Sequence, residues 1–169
     1  MTAPQASNTA GRRTVRRDVT LKGVGMHTGT ASAVTFRAAP PGAGVCFRRV
    51  DLPGSPEIAA RLSSVTGVER RTTLAAGKAE VHTVEHVLAA VAGLGIDDLV
   101  IDITALEPPI LDGSFQPFAQ ALAEAGSVDH GGEVVEYAVA DAFHFGEGAS
   151  LYLVGPSKVG LHLDVSIEF

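Results

Sequence analysis

The most informative part of this sequence is His82-Thr-Val-Glu-His86, which runs directly into Val87-Leu-Ala-Ala-Val-Ala-Gly-Leu-Gly95. Apolar residues recur in it at the spacing of one helical face, at positions 84, 87, 88 and 91. Gly93 and Gly95 are typical of a helix C-terminus, and the hydroxyl of Thr83 can cap a first turn. The stretch therefore predicts a short helix that begins at Thr83 and carries Glu85 and His86 side by side at its start.

This pair of residues has the chemistry of a metal-dependent hydrolase. A carboxylate such as that of Glu85 can move a proton, and the imidazole of His86 can bind a metal ion. A catalytic zinc normally takes three protein ligands, and this stretch offers one convincing ligand. The alternative without a chemical role is an ordinary capped helix, in which Glu85 only interacts favourably with the helix dipole.

The same five residues also match the H-x-x-E-H pattern of inverted zincin proteases. That motif needs both histidines on one helical face. Lys78-Ala-Glu-Val-His82 has the alternation of a strand. We therefore expect His82 to point away from His86, and the protease interpretation to fail.

The rest of the pattern predicts an α+β protein. Pro40-Pro-Gly-Ala-Gly44 is a turn, so residues 33–37 and 45–50 are expected to pair as an antiparallel hairpin. A second helix is predicted over residues 115–125, with Ser114 as its cap, Pro117 in its first turn and Gly126 at its end. Further strands are expected at residues 14–21 and 99–103, and residues 65–74 and 79–81 are expected to pair around the turn Ala75-Ala-Gly77.

Composition narrows the class of protein. The 169 residues are 46% hydrophobic and 19% charged with a net charge of -6, which is typical of a packed globular protein and gives no reason to expect nucleic acid. The arginines at 12, 13, 16 and 17 are interpreted as a solvated strand edge or tail. The single cysteine, Cys46, is expected to be a small core residue. No signal peptide or membrane span is recognisable, so a soluble cytoplasmic protein is the simplest interpretation.

Other candidate residues lie in turns. Gly23-Val-Gly-Met-His-Thr-Gly29 resembles a phosphate-binding loop, but a dinucleotide fingerprint would need glycine in place of Thr28 and a helix after the loop. A nucleotide site is therefore rejected there, while His27 remains a candidate. Glu107 directly precedes a double proline, and Asp112 follows the same prolines. Both are interpreted as turn-forming residues, with Asp112 preparing the second helix.

The C-terminal part is interpreted as an incomplete second unit. Strands are predicted at residues 134–145, 150–154 and 159–167, and no helix follows them. The last predicted strand alternates apolar and polar residues up to Phe169. We therefore expect a disordered lead-in over residues 1–11, a first domain over 12–127, and the start of a second domain over 128–169, in a chain that is the front part of a larger protein or borrows a partner.

Four motifs together carry a resemblance to a known family. They are Gly23-Val-Gly-Met-His-Thr-Gly29, Phe47-Arg-Arg-Val-Asp-Leu52, Thr83-Val-Glu-His86 with Ala89-Ala-Val-Ala-Gly-Leu-Gly-Ile-Asp97, and Ile110-Leu-Asp-Gly-Ser114. In order and spacing they resemble the N-terminal half of the zinc-dependent UDP-3-O-acyl-N-acetylglucosamine deacetylases, which act at the committed step of lipid A synthesis in Gram-negative bacteria. The resemblance runs from about Arg13 to Gly126.

The resemblance implies a fold and a set of roles. In that family two similar domains, each a β-sheet with two helices packed on one face, enclose the active site between their helix layers. By motif, Glu85 corresponds to the general base, His86 to the first zinc ligand, and His27 to a loop position near the substrate. The other two zinc ligands, in a His-Lys-x-x-Asp motif, and a further catalytic histidine come from parts of the second domain that this sequence does not contain.

Two hypotheses follow from the resemblance. The first is a truncated deacetylase that hydrolyses the 2-acetamide of an acylated UDP-glucosamine with zinc as cofactor, but that needs the missing second domain for a complete site and is inactive alone. The second is a short, inactive relative that acts as a binding or assembly module.

Overall fold

The computed structural model of this chain describes residues 11–134, 138–158 and 160–167. These residues divide into two compact units, the first ending at Val134 and the second following it. The lead-in predicted for residues 1–11 lies outside the described residues except for Gly11, whose N–H donates to Asp129 Oδ2 at 3.0 Å. In chain order the elements are β1 (Arg12–Val15), β2 (Val19–Val24), β3 (Ala31–Ala38), β4 (Val45–Arg49), β5 (Glu57–Ala59), β6 (Val65–Gly67), β7 (Thr73–Ala76), β8 (Ala79–His82), α1 (Glu85–Gly93), β9 (Leu99–Ile103), α2 (Gln116–Ala125), β10 (Ser127–Gly131), β11 (Phe143–Glu147) and β12 (Ser150–Val154).

A five-stranded sheet in the order β2-β3-β9-β4-β5 forms the centre of the first unit. The predicted hairpin between residues 33–37 and 45–50 is wrong, because β9 lies between β3 and β4, antiparallel to β3 and parallel to β4. The reason is the composition of β9, Leu99-Val-Ile-Asp-Ile103, which is apolar enough to require a central position. β3 pairs instead with β2, across the loop that holds His27.

The two helices contribute to one core with this sheet, and the α+β class is confirmed. Phe36 of β3 and Phe118 of α2, both essentially buried, meet edge to face with ring centroids 6.5 Å apart. Val87 and Val91 of α1 belong to the same cluster of buried residues. The other face of the sheet is charged: Asp102 accepts from the Nε atoms of Arg37 and Arg48, each at 2.6 Å.

The helix boundaries are close to those predicted, with one correction. α1 begins at Glu85 rather than Thr83, and no side chain caps it. α2 carries Pro117 in its first turn and ends before Gly126, which has a φ of 71°. Ser114 does bond the start of α2, because its Oγ accepts from the N–H of Gln116 at 3.1 Å. Among the described residues no helix has the length and apolar character needed to cross a bilayer.

A small sheet of β6, β7 and β8 leads into α1. β7 and β8 form the predicted hairpin, with Gly77 at a φ of 60° in its turn, where a side chain would be strained. The predicted strand over residues 14–21 is two strands, β1 and β2, which pair with different partners. Cys46 of β4 is half-buried, whereas a core position was predicted.

A buried aspartate joins the start of the chain to the sheet. Asp98, fully buried, accepts from Arg12 Nε at 2.8 Å and Nη2 at 2.7 Å, from the Gly44 N–H at 2.7 Å, and bonds His130 Nε2 at 3.0 Å. The interpretation of Arg12 as part of a solvated edge is therefore wrong. Its charge is held by a tertiary partner 86 positions away.

The end of the first unit lies later than the sequence indicates. β10 pairs antiparallel with β1, which places residues after 127 with the first unit. In the second unit β11 and β12 form an antiparallel hairpin, so the strand predicted at 150–154 is confirmed.

The other two strands predicted for the C-terminal part differ from the structure. Of the strand predicted at 134–145, residues 143–145 form the start of β11, whereas residues 134 and 138–142 are not strand and 135–137 lie outside the described residues. The strand predicted at 159–167 is not formed over 160–167, and Val159 lies outside the described residues. Alternation gives a segment the side-chain pattern of a strand, but a strand also needs a neighbouring edge for its backbone hydrogen bonds.

Candidate active site

The segment that leads from β8 into α1 presents Glu85 and His86 at the start of the helix. β8 ends at His82, whose N–H donates to the Leu106 carbonyl at 2.9 Å. Thr83 then takes a left-handed conformation with a φ of 54°, which is rare for a β-branched residue. Val84 is buried and anchors the turn. Glu85 and His86 follow it as the first two residues of α1.

Glu85 is exposed, and its carboxylate is held in place. Oε1 accepts a hydrogen bond from the N–H of Thr72, which precedes β7. A carboxylate at the first position of a helix also interacts favourably with the helix dipole. The side chain is therefore both oriented and accessible, as a proton acceptor must be.

His86 is half-buried beside a narrow crevice at the junction of α1, α2 and the loop before α2. The crevice is lined by Thr83, His86, Val87, Pro108, Pro109, Ile110 and Phe118. Its walls are apolar apart from Thr83 and His86. A larger, open concavity lies on the β11–β12 hairpin, but His144 is the titratable side chain there, without an acidic neighbour in its lining, so we place the candidate site at α1.

Asp112 lies close enough to His86 to interact with it electrostatically. The N–H and Oγ of Ser114 both donate to Asp112 Oδ1 at 2.9 Å. These bonds, and more weakly the charge of His86, lower the pKa of Asp112. The prediction that Asp112 prepares the second helix is confirmed, since its partner Ser114 bonds the first turn of α2.

His82 is separated from the pair, as expected. It belongs to β8, and its Nε2 lies 3.1 Å from Glu80 Oε2. Because α1 begins at Glu85, the two histidines of the H-x-x-E-H pattern do not share a helix, and the inverted zincin interpretation fails.

His27 lies in the loop between β2 and β3, with an exposed side chain. A strand follows this loop, which agrees with the rejection of a dinucleotide site. The His27 N–H donates to Glu107 Oε1 at 2.8 Å, and Glu107 Oε2 accepts from Thr83 Oγ1 at 3.1 Å. The loop of His27 and the turn before Glu85 are therefore joined by one carboxylate.

Glu107 is the residue that sequence reasoning missed. The prediction of a turn-forming residue is wrong, because Glu107 is 1% exposed and bonded to two distant segments. The predicted role of Thr83 as a helix cap is wrong for the same reason, since its hydroxyl donates to Glu107. A glutamate after an apolar strand and before two prolines carries no local signal of this role. The His27 loop is brought to it by the pairing of β3 with β9, and the turn at Thr83 by the hydrogen bond from the His82 N–H to the Leu106 carbonyl.

The described residues do not form a complete metal site. Over residues 11–134, 138–158 and 160–167, no three side chains of His, Cys, Asp or Glu come together as metal ligands. His86 has the accessibility of a ligand, and catalytic zinc takes three. This set of residues therefore does not fit a zinc ion by itself.

Comparison with known proteins gives the chain's relationships. Residues 12–169 match the sequence model of the family described as LpxC, UDP-3-O-acyl N-acetylglycosamine deacetylase. A bifunctional enzyme LpxC/FabZ of Chlorobaculum tepidum is 40% identical over 161 residues, covering 94% of this chain and 34% of the relative. UDP-3-O-acyl-N-acetylglucosamine deacetylases are also similar, that of Thioalkalivibrio sulfidiphilus at 45% identity over 70% of this chain and 39% of the relative. That of Bdellovibrio bacteriovorus is 35% identical over 94% of this chain and 52% of the relative.

The chain thus spans between about a third and a half of the length of these curated relatives. The match includes α1, the loop before α2 and α2, whose residues line the crevice, and it also includes the His27 loop. The chain belongs to the UDP-3-O-acyl N-acetylglycosamine deacetylase family, a family of hydrolases.

Proposed function

We propose that this chain provides one wall of the active site of a UDP-3-O-acyl-N-acetylglucosamine deacetylase. The observation that carries the proposal is the first turn of α1, where an accessible, oriented carboxylate is next to a half-buried imidazole, and the imidazole lines a narrow crevice. The substrate would be a UDP-sugar, with the reaction in the cytoplasm. The single cysteine is compatible with that compartment.

In the proposed reaction Glu85 acts as the general base. It takes a proton from a water molecule as the water oxygen adds to the carbonyl carbon of the 2-acetamide. The bond from that carbon to nitrogen then breaks, the nitrogen takes up the proton that Glu85 accepted, and acetate and the free amine leave. The hydrogen bond from the Thr72 N–H holds one carboxylate oxygen, which leaves the other to accept the proton.

We further propose that His86 supplies one zinc ligand, and that the remaining ligands come from a second domain of which residues 138–167 are the beginning. The family membership supports this proposal, as does the lack of any group of three potential metal ligands among the described residues. His27 is proposed to contact the substrate, because Glu107 ties its loop to the turn before Glu85.

Activity is best tested in a hybrid enzyme. The hybrid consists of the full 169-residue chain followed by the part of the Bdellovibrio bacteriovorus relative that lies beyond its matched segment. We expect the hybrid to release acetate from UDP-3-O-acyl-N-acetylglucosamine and the chain alone to release none, in an assay of acetate and free amine. A folded hybrid without activity would contradict the proposal and favour the alternative of an inactive binding module.

Zinc binding provides an independent prediction. Because one ligand is too few for a stable tetrahedral site, the chain alone is expected to show no stoichiometric zinc binding in calorimetric titration at neutral pH. The hybrid is expected to hold one zinc ion per molecule, and His86→Ala to lower its zinc affinity by more than about tenfold. His144→Ala, at an exposed histidine of β11, is the control. Tight binding by the chain alone would show that its own residues complete the site.

A further inference from the structure

One buried carboxylate links the two segments of the proposed site. Glu107 Oε1 accepts from the N–H groups of His27 at 2.8 Å and Thr28 at 2.7 Å, and from Thr28 Oγ1 at 2.9 Å. Its second oxygen, Oε2, accepts from Thr83 Oγ1 at 3.1 Å. Both oxygens are therefore in use, one by the His27 loop and the other by the turn before α1.

The turn at Thr83 needs such a restraint. Thr83 has a φ of 54°. This left-handed conformation is unfavourable for a β-branched residue, and it persists only where neighbouring groups hold it. The buried side chain of Val84 holds the turn on one side. The hydrogen bond from the Thr83 hydroxyl to Glu107 holds it on the other. Since Glu85 and His86 come next in the chain, a change of this turn moves both of them.

The His27 loop packs closely around the Glu107 carboxylate. A Cβ atom on Gly25 would lie 2.4 Å from Glu107 Oε1 and 2.6 Å from Thr28 Oγ1, so this loop position has no space for a side chain. The Ser32 hydroxyl also donates to the Glu107 carbonyl at 2.7 Å, which fixes the backbone of Glu107 against β3. The geometry leaves the carboxylate little freedom.

Glu107 is ionised despite its burial. Burial by itself raises the pKa of this carboxyl group, but the bonds from Thr28, His27 and Thr83 lower it more, so the net pKa lies below its usual range. A buried charge costs desolvation free energy that a neutral or apolar residue would avoid. This cost is accounted for if the Glu107 charge orders the two segments that it contacts.

We propose that Glu107 is a positioning residue, which fixes the His27 loop relative to the first turn of α1 so that His27, Glu85 and His86 face one substrate. This role rests on the proposed function. Glu107 contacts the loop and the turn rather than the substrate, and it acts through them.

Nuclear magnetic resonance of the full chain tests the link itself. In Glu107→Gln we expect the His27 and Thr28 amides to exchange with solvent about tenfold to a hundredfold faster, because bonds to a charged acceptor are lost. Thr83→Val removes the hydroxyl at the other end, and it is expected to shift the amide signals of the His27 loop although residue 83 does not bond that loop. Thr83→Ser retains the hydroxyl and is expected to restore those signals. The link through Glu107 would be overturned if amide exchange were unchanged in Glu107→Gln, or if the signals of the His27 loop did not shift in Thr83→Val.

The control separates positioning from general stability. Asp98→Asn alters a carboxylate that is equally buried but bonded to Arg12, Gly44 and His130. In the hybrid enzyme Glu107→Gln is expected to lower kcat/KM about tenfold to a hundredfold, with Asp98→Asn leaving kcat/KM of the folded enzyme near the parent value. An active parent whose Glu107→Gln variant keeps full kcat/KM would overturn the positioning role alone. An inactive parent would instead overturn the proposed function, and the role with it, whatever the resonance data show.

Discussion

Glu85→Gln is expected to lower kcat of the hybrid enzyme by about a hundredfold to ten-thousandfold, the range that a positioned general base contributes. Glutamine has nearly the same shape as glutamate, and its side-chain carbonyl can still accept from the Thr72 N–H. What the amide cannot do is take a proton from water. The substitution therefore removes the proposed chemistry while it leaves the geometry of the first turn of α1 in place.

The measurement is steady-state acetate release by the purified hybrid, together with its zinc content. Glu57→Gln, at an exposed position of β5, is the matched control and is expected to keep the parent rate. If Glu85→Gln retained most of the activity while zinc stayed bound, the base would have to be another group. A variant that lost its zinc as well would show that Glu85 also supports the metal site, which the described hydrogen bonds of Glu85 do not indicate.

Local patterns predicted those parts of the fold that short-range physics controls. α1 was recognisable from its apolar face and its terminal glycines, and β9 from an apolar run of the right length. The order of the strands in the central sheet was not recognisable. The insertion of β9 between β3 and β4 depends on contacts between residues more than fifty positions apart, and the turn at residues 40–44 suggested a simpler pairing.

The candidate site was predictable to the same extent. Glu85 and His86 are adjacent in sequence and in the first turn of one helix, so their pairing needs no tertiary information. Glu107 lies 80 positions from His27 and 24 from Thr83, and its role exists only once the sheet has formed. The resemblance to a family assigned roles to Glu85, His86 and His27, whereas the buried carboxylate that bonds the segments beside them became visible in the structure.

Asp98→Ala is expected to destabilise the first unit by about 3–5 kcal/mol, the range for removing one partner of a buried ion pair. Asp98 is 0% exposed and accepts from Arg12, from the Gly44 N–H and from His130. Its loss leaves the Arg12 guanidinium, whose side chain is 18% exposed, without its carboxylate, and leaves the partly buried Gly44 amide without an acceptor. Urea unfolding at neutral pH measures the difference. Asp18→Ala removes an exposed partner of Arg37 and is expected to cost less than about 1 kcal/mol.

The pH dependence of that difference identifies its cause. Burial by itself raises the pKa of Asp98, but the bonds from Arg12, Gly44 and His130 outweigh it and hold the pKa well below its usual range. A carboxylate whose folded pKa is depressed stabilises the protein above the unfolded pKa of about 4, and this contribution is lost as pH falls through the folded pKa. The free-energy gap between the parent and Asp98→Ala is therefore expected to be constant from neutral pH to about pH 5 and to narrow below about pH 4. A gap that stayed the same in acid would mean that Asp98 stabilises the fold through packing alone, and that its charge contributes nothing.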